Sequence, residues 1–168
     1  MYSLEENRAH KGLHALPSLL TMKNHKILVL EDHPLISMVI EDVCKDMAPH
    51  AQLTVLTSLQ QARDHVFDKP DLIIFDLMLT DSKGEATVDW LAAMFPSVCG
   101  LIYTGNVTEA ISARALQAGY VILDKACSQS VLAHEIELAL FKSGILQRSA
   151  AEPSPSNEHQ SNIVAYPG

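Results

Sequence analysis

Acidic residues follow two apolar runs of the kind that form buried strands. Asp76 comes directly after the run 72–75, and Glu31 and Asp32 come directly after the run 27–30. A buried carboxylate is costly unless it has a partner, a metal or an accessible edge. Carboxylate oxygens are hard ligands that suit Mg²⁺, which prefers octahedral oxygen coordination and keeps several waters. Glu31, Asp32 and Asp76 are therefore candidate magnesium ligands, provided that the fold brings them together.

An aspartate beside such a cation can act as a nucleophile toward phosphorus, as it does in enzymes that pass through an aspartyl phosphate. Phosphoryl transfer needs positioning and charge neutralisation, which Mg²⁺ and an ammonium group supply together. Thr104 and Lys125 follow two further apolar runs and offer a hydroxyl and an ammonium. Asp76, Thr104 and Lys125 are thus the candidate residues for phosphoryl chemistry.

Five apolar runs alternate with five amphipathic segments, which predicts five strands and five helices. The predicted strands are 26–32, 51–57, 71–76, 99–104 and 120–125, and the predicted helices are 34–47, 59–67, 85–95, 107–119 and 128–144. Such alternation is typical of an α/β protein with a doubly wound parallel sheet. In the flavodoxin-like strand order 2-1-3-4-5, strands one and three are neighbours, so Glu31, Asp32 and Asp76 meet at one edge.

Local signals predict where the helices begin and end. Ser82 and Glu85 have the spacing of a capping box for the third helix, and Asn106 with Glu109 is a candidate cap for the fourth. Gly119 is the predicted stop of the fourth helix. An apolar stripe on the first helix is expected to face the core: Leu35, Met38, Val39, Val43 and Met47.

Composition divides the chain into three parts. Residues 1–24 show no sustained periodicity and form an N-terminal extension of uncertain order, and residues 25–143 contain the alternating elements. Residues 144–168 are rich in Pro, Ser and Asn, which predicts a flexible C-terminal tail.

The charge balance argues against direct nucleic-acid binding. Lys and Arg total 12 against 20 Asp and Glu, giving a formal net charge of −8, which repels phosphate backbones. Three separated cysteines form no CxxC pair and indicate a reducing compartment. No apolar run approaches the roughly 18 residues that a membrane span needs. We therefore expect a cytoplasmic protein that does not associate with membranes.

Four motifs, at their spacings, resemble the receiver domain of two-component response regulators over roughly residues 25–143. They are ILVLEDHP, LIIFDLML, IYTG and LDKA. The resemblance implies a chemotaxis-regulator-like fold, a bound Mg²⁺ and a role as a phosphoprotein in phosphorelay signal transduction.

The resemblance also implies a role for each site residue. Asp76 matches the phosphoacceptor, and Glu31 with Asp32 matches the acidic metal pair. Met78 matches the position whose backbone carbonyl completes the metal site. Thr104 and Lys125 match the switch hydroxyl and the lysine that pairs with the phosphoryl group.

Partners follow from the same resemblance. A sensor histidine kinase or a histidine phosphotransfer protein would donate the phosphoryl group, and an unknown downstream protein would receive the signal. The segment after the fifth helix is too short and too polar for a helix-turn-helix output module, so we expect a stand-alone receiver or part of a longer regulator. Arg114 and Gln117, on the outer face of the fourth helix, are candidate partner contacts.

Two alternatives to a phosphorylated receiver stay open, and the first follows from departures from the family pattern. Receivers commonly have an aromatic residue three positions before the lysine, where this chain has Ile122, and a proline after it, where this chain has Ala126. A phosphorylation-independent pseudo-receiver that works as a binding module is therefore one alternative. The other is a Mg-dependent aspartyl-phosphate phosphatase, but such enzymes need an acid where this chain has Met78. We expect a protein that is not an enzyme.

Overall fold

The computed structural model describes residues 24–65 and 69–147. Within these ranges seven strands and five helices follow one another along the chain. In order they are β1 (Lys26–Leu30), α1 (Pro34–Met47), β2 (Gln52–Leu56), α2 (Leu59–Asp64), β3 (Leu72–Phe75), β4 (Met78–Leu79), β5 (Ser82–Lys83), α3 (Glu85–Met94), β6 (Cys99–Thr104), α4 (Glu109–Ala118), β7 (Val121–Asp124) and α5 (Gln129–Lys142).

Five of the strands form one parallel sheet in the order β2-β1-β3-β6-β7. Strands β4 and β5 form a separate two-stranded antiparallel hairpin between β3 and α3. With that hairpin set aside, the order is the predicted 2-1-3-4-5, and the doubly wound, five-helix architecture is confirmed.

Both faces of the sheet are covered, which explains why its inner strands hold runs of consecutive apolar residues rather than alternate ones. One core, beneath α2, α3 and α4, contains Leu28, Leu30 and Phe75. The other, beneath α1 and α5, contains Ile27 and Val29, whose side chains point the opposite way along β1. The polar side chains at the strand ends are therefore the part of the sheet that a ligand from solvent can reach.

Two predicted helix caps are wrong. Helix α3 begins after Gly84 at φ +58°, whereas Ser82 lies in the hairpin and its hydroxyl is 2.7 Å from that of Thr87. Helix α4 is capped by Thr108, whose Oγ1 accepts a hydrogen bond from the Ile111 N–H at 3.2 Å, so Asn106 lies before the cap. At α4 another side-chain oxygen forms the cap, whereas at α3 the cap position is a glycine that offers no side-chain hydrogen bond.

Gly119 ends α4 as predicted. It has φ +73°, a left-handed conformation that glycine adopts without steric cost. The turn leads directly into β7 and so fixes where Lys125 stands after that strand.

The apolar stripe predicted for α1 is correct at its later positions and wrong at its start. Val39, Val43 and Met47 pack against the core, whereas Leu35 and Met38 are 66% and 54% exposed. The most deeply buried residues of the helix are Ile40 and Cys44. The buried face of the helix runs through Ile36, Ile40 and Cys44, so Leu35 and Met38 lie on its outer side.

Close packing joins β6, β7 and β3. The Tyr120 ring lies edge-on to Phe75, with ring centroids 5.5 Å apart. A Cβ atom at Gly100 would lie 2.3 Å from that tyrosine ring, so glycine is what makes room for the aromatic side chain. The Tyr120 hydroxyl is buried and has no hydrogen-bond partner among residues 24–65 and 69–147.

Beyond α5, Ile145 and Leu146 are partly buried and pack against the core. These two residues of the predicted tail thus contribute to the folded domain. The predicted extension up to residue 23, and the tail from 148 onward, lie outside the described residues. In the part of the chain that is described, no helix is long and apolar enough to cross a membrane.

Candidate functional site

Three carboxylates meet at the carboxyl edge of the sheet, where β1 and β3 end side by side. The register pairs Leu30 with Phe75, so the residues that follow each strand, Glu31 and Asp76, are also neighbours. Glu31, Asp32 and Asp76 each offer an oxygen atom, and these atoms all lie within 4.8 Å of one another. The structure thus brings the predicted acidic residues together.

Lys125 directly follows the carboxyl end of β7 and contacts the cluster from there. Its Nζ donates to Glu31 Oε2 at 2.8 Å and to Asp76 Oδ2 at 2.7 Å. The Glu31 and Asp76 residues are only 1% and 4% exposed, so the ammonium group balances charge that water hardly reaches. Residues from three separate parts of the sequence therefore form one ion-paired site.

Backbone amides hold the same two carboxylates from the other side. The His33 N–H donates to Glu31 Oε1 and the Met78 N–H donates to Asp76 Oδ1, each at 3.1 Å. Both oxygens of Asp76 thus have a donor, as do both oxygens of Glu31. The carboxylates are oriented by the loops that follow β1 and β3.

Burial raises the pKa of Glu31 above its ordinary value, even though the hydrogen bonds from Lys125 and the His33 N–H lower it. For Lys125, burial lowers the pKa, but the hydrogen bonds to Asp76 and Glu31 outweigh burial and the pKa is raised overall. Lys125 is therefore a fixed positive charge at neutral pH, and removing the Glu31 proton costs more than it would in water.

Thr104 ends β6 at the same edge of the sheet and is fully buried. Its Oγ1 accepts a hydrogen bond from the Asn106 N–H at 3.4 Å, and its carbonyl accepts one from the Lys125 N–H at 3.0 Å. The Thr104 backbone thus contacts the backbone of the lysine, and its hydroxyl faces the loop that follows β6. Its predicted role as a switch stays a prediction.

Met78 opens the β4–β5 hairpin directly after Asp76 and Leu77. Its side chain is 39% exposed, and the Asn106 side-chain amide lies 4.0 Å from its sulfur. The Met78 N–H has a partner in Asp76, as described above. The metal-binding role predicted for the Met78 carbonyl stays a prediction.

Tyr103 is a site residue that the sequence analysis did not single out. The Lys125 ammonium lies 5.7 Å from the centroid of the Tyr103 ring, within the range of a cation–π interaction. Its position in the sequence could have identified it, because Tyr103 directly precedes Thr104 at the end of a strand that neighbours β7.

Ile122 packs against the core beneath α4 and pairs with Ile102 across the sheet. Tyr120, two residues earlier, points to the same face of the sheet but is buried against Phe75. Ile122, at the position where receivers commonly have an aromatic side chain, is thus an aliphatic residue packed against the core.

Arg114 is engaged within the chain rather than free for a partner. Its Nε donates to Glu85 at 2.8 Å and its Nη1 contacts Asp89, which links α4 to α3. Gln117, the other predicted contact on this helix, is exposed. The two predicted contacts therefore differ in how readily a partner could reach them.

The donor set fits a hard divalent cation. The clustered groups are carboxylate oxygens, and one carboxylate, that of Asp32, is only partly buried. A cation placed among them would compete with the Lys125 ammonium for the same negative charge. The arrangement can therefore hold a metal and neutralise an added anionic group at one edge.

Comparisons with solved structures agree with this fold. The signal receiver domain of an HD domain-containing protein from Pseudomonas fluorescens Pf-5 is 19% identical with a TM-score of 0.61, covering 73% of this chain and 98% of the other. A CheY-like response regulator receiver domain protein from Methanospirillum hungatei JF-1 is 19% identical with a TM-score of 0.56, covering 71% and 96%. A BeF3-activated DrrB receiver domain is 17% identical with a TM-score of 0.56, covering 70% and 97%.

The sequence itself matches a family as well. The model of the response regulator receiver domain matches residues 27–137, well over half of the chain. That range begins in β1 and ends within α5, and it includes each of the residues clustered around Asp76. The chain therefore belongs to the response regulator receiver domain family.

Proposed function

We propose that this chain is a phosphorylation-controlled signalling receiver that accepts a phosphoryl group on Asp76. The observation that carries the proposal is the Lys125 ammonium, which lies 2.7 Å from Asp76 Oδ2 at an edge that also holds Glu31, Asp32 and Thr104. A charge-neutralising group thus already contacts the acceptor. Membership of the receiver family supports a phosphorylation-based signalling role in general.

The proposed donor is a phosphohistidine on a sensor histidine kinase or a histidine phosphotransfer protein. An Asp76 oxygen attacks the phosphorus, an O–P bond forms as the P–N bond breaks, and the departing imidazole takes up a proton from solvent. Lys125 then pairs with the new phosphoryl oxygens, and the Thr104 hydroxyl turns toward them.

Glu31, Asp32, Asp76 and the Met78 carbonyl are the residues proposed to hold Mg²⁺. When bound, the ion would neutralise charge on the phosphoryl oxygens during transfer. Around it, the His33 and Met78 amides keep the Glu31 and Asp76 carboxylates oriented. We propose that signal output goes through a downstream protein and not through nucleic acid, since the chain carries a formal charge of −8. A cytoplasmic location stays a prediction.

The test is intact-protein mass spectrometry after incubation with a small phosphodonor and Mg²⁺. We expect one added phosphoryl mass on the wild type and none on Asp76→Asn. Asp42→Asn, an exposed change on α1, is the matched control and should accept the group normally. Labelling of Asp76→Asn, or no labelling of folded wild type by any donor, would overturn the proposal.

One observation favours a second candidate, a binding module that works without phosphorylation. Ile122 is partly buried against the core at the position where receivers commonly have the aromatic residue that changes exposure. A ligand that prefers neither state shifts no population, so partner capture separates the two readings. Equal capture with and without beryllofluoride, the activating group named for the DrrB structure, would favour the binding module.

The phosphatase alternative lacks such support, because Met78 stands where a general acid would be needed. We propose that the protein is not an enzyme. Release of more than one equivalent of phosphate from a phosphate ester would revive the alternative.

A further inference from the structure

A cavity of about 800 Å³ opens at the amino edge of the sheet, opposite the acidic site. Its walls come from the segments that lead into β1, β3, β6 and β7 and from the last residues of α5. Its volume lies in the range of small-molecule sites. The cavity and the acidic site therefore lie at opposite edges of one sheet and share no lining residue.

Positive charge is concentrated around this cavity. Lys26, Lys69 and Lys142 line it, which is three of the six lysines in the described residues, whereas Asp71 is the lining carboxylate. Asp71 Oδ2 accepts hydrogen bonds from the Lys26 N–H at 3.0 Å and from the His25 ring at 3.3 Å, which ties this carboxylate to the start of β1.

Lys69 and Lys142 are the two lining lysines whose charge is available to a ligand. Both are exposed, and across residues 24–65 and 69–147 no carboxylate forms an ion pair with either ammonium. Lys142 lies in the last turn of α5, where a cation also offsets the helix dipole. That explanation does not extend to Lys69, which lies in the loop before β3, 73 positions earlier in the chain.

The rest of the lining suits an organic phosphate. Pro70, Val98 and Ala118 form an apolar wall. Ser97 contributes a hydroxyl group, and Ser143 also lines the cavity, with its hydroxyl donating to the Leu140 carbonyl at 3.0 Å. Ser97 has φ +64° and is the non-glycine residue with positive φ in the described chain. Such backbone conformations cost energy and are found disproportionately at binding sites.

We propose that this cavity binds a small molecule carrying two or more phosphate charges, with Lys69 and Lys142 as its ionic contacts. Lysine binds phosphate as a compact point charge, and two such charges on separate elements favour a ligand that spans them. The ligand would bind whether or not Asp76 is phosphorylated.

Isothermal titration calorimetry of the full chain with inorganic pyrophosphate tests the proposal. EDTA is included so that no metal at the acidic edge recruits phosphate. We expect saturable binding that becomes roughly tenfold weaker in the double variant Lys69→Gln, Lys142→Gln. The double variant Lys45→Gln, Lys83→Gln removes the same formal charge elsewhere and should bind as the wild type does.

Amide chemical shifts then locate the ligand. The largest changes should fall on Ser97, Gly119 and Ser143, and Asp76→Asn should leave the affinity unchanged. Thermal unfolding checks that every variant is folded. No binding by the wild type, equal affinities for the two double variants, or loss of binding in Asp76→Asn would each overturn the proposal.

Discussion

The two edges of the sheet hold charge in opposite ways. At the carboxyl edge the charges are buried, and Glu31, Asp76 and Lys125 hydrogen-bond to one another. At the amino edge Lys69 and Lys142 are exposed around an open cavity. One edge has a fixed geometry suited to bond making, and the other has solvent-exposed charges suited to attracting a ligand.

The physical difference is the cost of removing charge from water. A buried ion pair is geometrically fixed because losing either member leaves the other unsolvated, whereas an exposed lysine loses little when its surroundings change. The same substitution should therefore change the unfolding free energy more at the carboxyl edge than at the amino edge.

The largest contrast is expected between Lys125→Met and Lys142→Met. The first leaves Glu31 and Asp76 facing each other without a cation, and we expect it to lower the unfolding free energy by about 3 kcal/mol in metal-free buffer. The second should change it by less than about 0.5 kcal/mol. Urea unfolding measures both.

Adding Mg²⁺ sharpens this comparison. A cation bound among the carboxylates should restore part of the stability of Lys125→Met and leave the difference between Lys142→Met and the wild type unchanged. Similar losses of stability in the two variants would show that burial does not separate the edges.

A smaller effect is expected from pH, because only one ionisable group changes. The pKa of Glu31 is raised in the folded protein, so the wild type loses stability as pH rises from the ordinary value of 4.5 through the raised pKa. Glu31→Gln has no such proton to lose. The unfolding free energy of the variant minus that of the wild type should increase over this window.

Urea unfolding at a series of pH values without divalent metal gives this difference. Glu109→Gln, an exposed change at the start of α4, serves as the control and should show no such increase. A constant or decreasing difference for Glu31→Gln would mean that Lys125 outweighs burial at this carboxylate.

The smallest effect compares two tyrosines of similar burial, Tyr120 at the amino edge and Tyr103 beside Lys125. The Tyr120 hydroxyl has no hydrogen-bond partner in the described part of the chain, so Tyr120→Phe should raise the unfolding free energy by about 1 kcal/mol. Tyr103→Phe should bring no such gain. Destabilisation by Tyr120→Phe in thermal or urea unfolding would contradict this expectation.

The sequence was most informative where one rule applied to several elements together. Because parallel strands all end at one edge, apolar runs ending in Asp76 and Lys125 were enough to predict a shared site. The two helix caps were missed by two residues each: Thr108 accepts the hydrogen bond predicted for Asn106, and Gly84, with φ +58°, begins α3 without a side-chain cap.

Two features could not be predicted from the sequence: how far the Lys125 side chain extends, and which residues meet at the amino edge of the sheet. Nothing in the spacing indicates that Lys125 would bond to Glu31 as well as to Asp76, because that depends on how far one flexible side chain extends. Lys69 lies in a loop and Lys142 lies at the end of a helix, 73 positions apart. No sequence motif links them. Their proximity to one cavity is a property of the folded chain.

The packing of Tyr120 against Gly100 links two positions that lie 20 residues apart. Evolution cannot enlarge one of them without shrinking the other, so residue sizes at these positions should vary inversely among related chains. A relative with alanine or a larger residue at the glycine position should have a small residue in place of the tyrosine, and that reciprocity would be visible in an alignment without any structure.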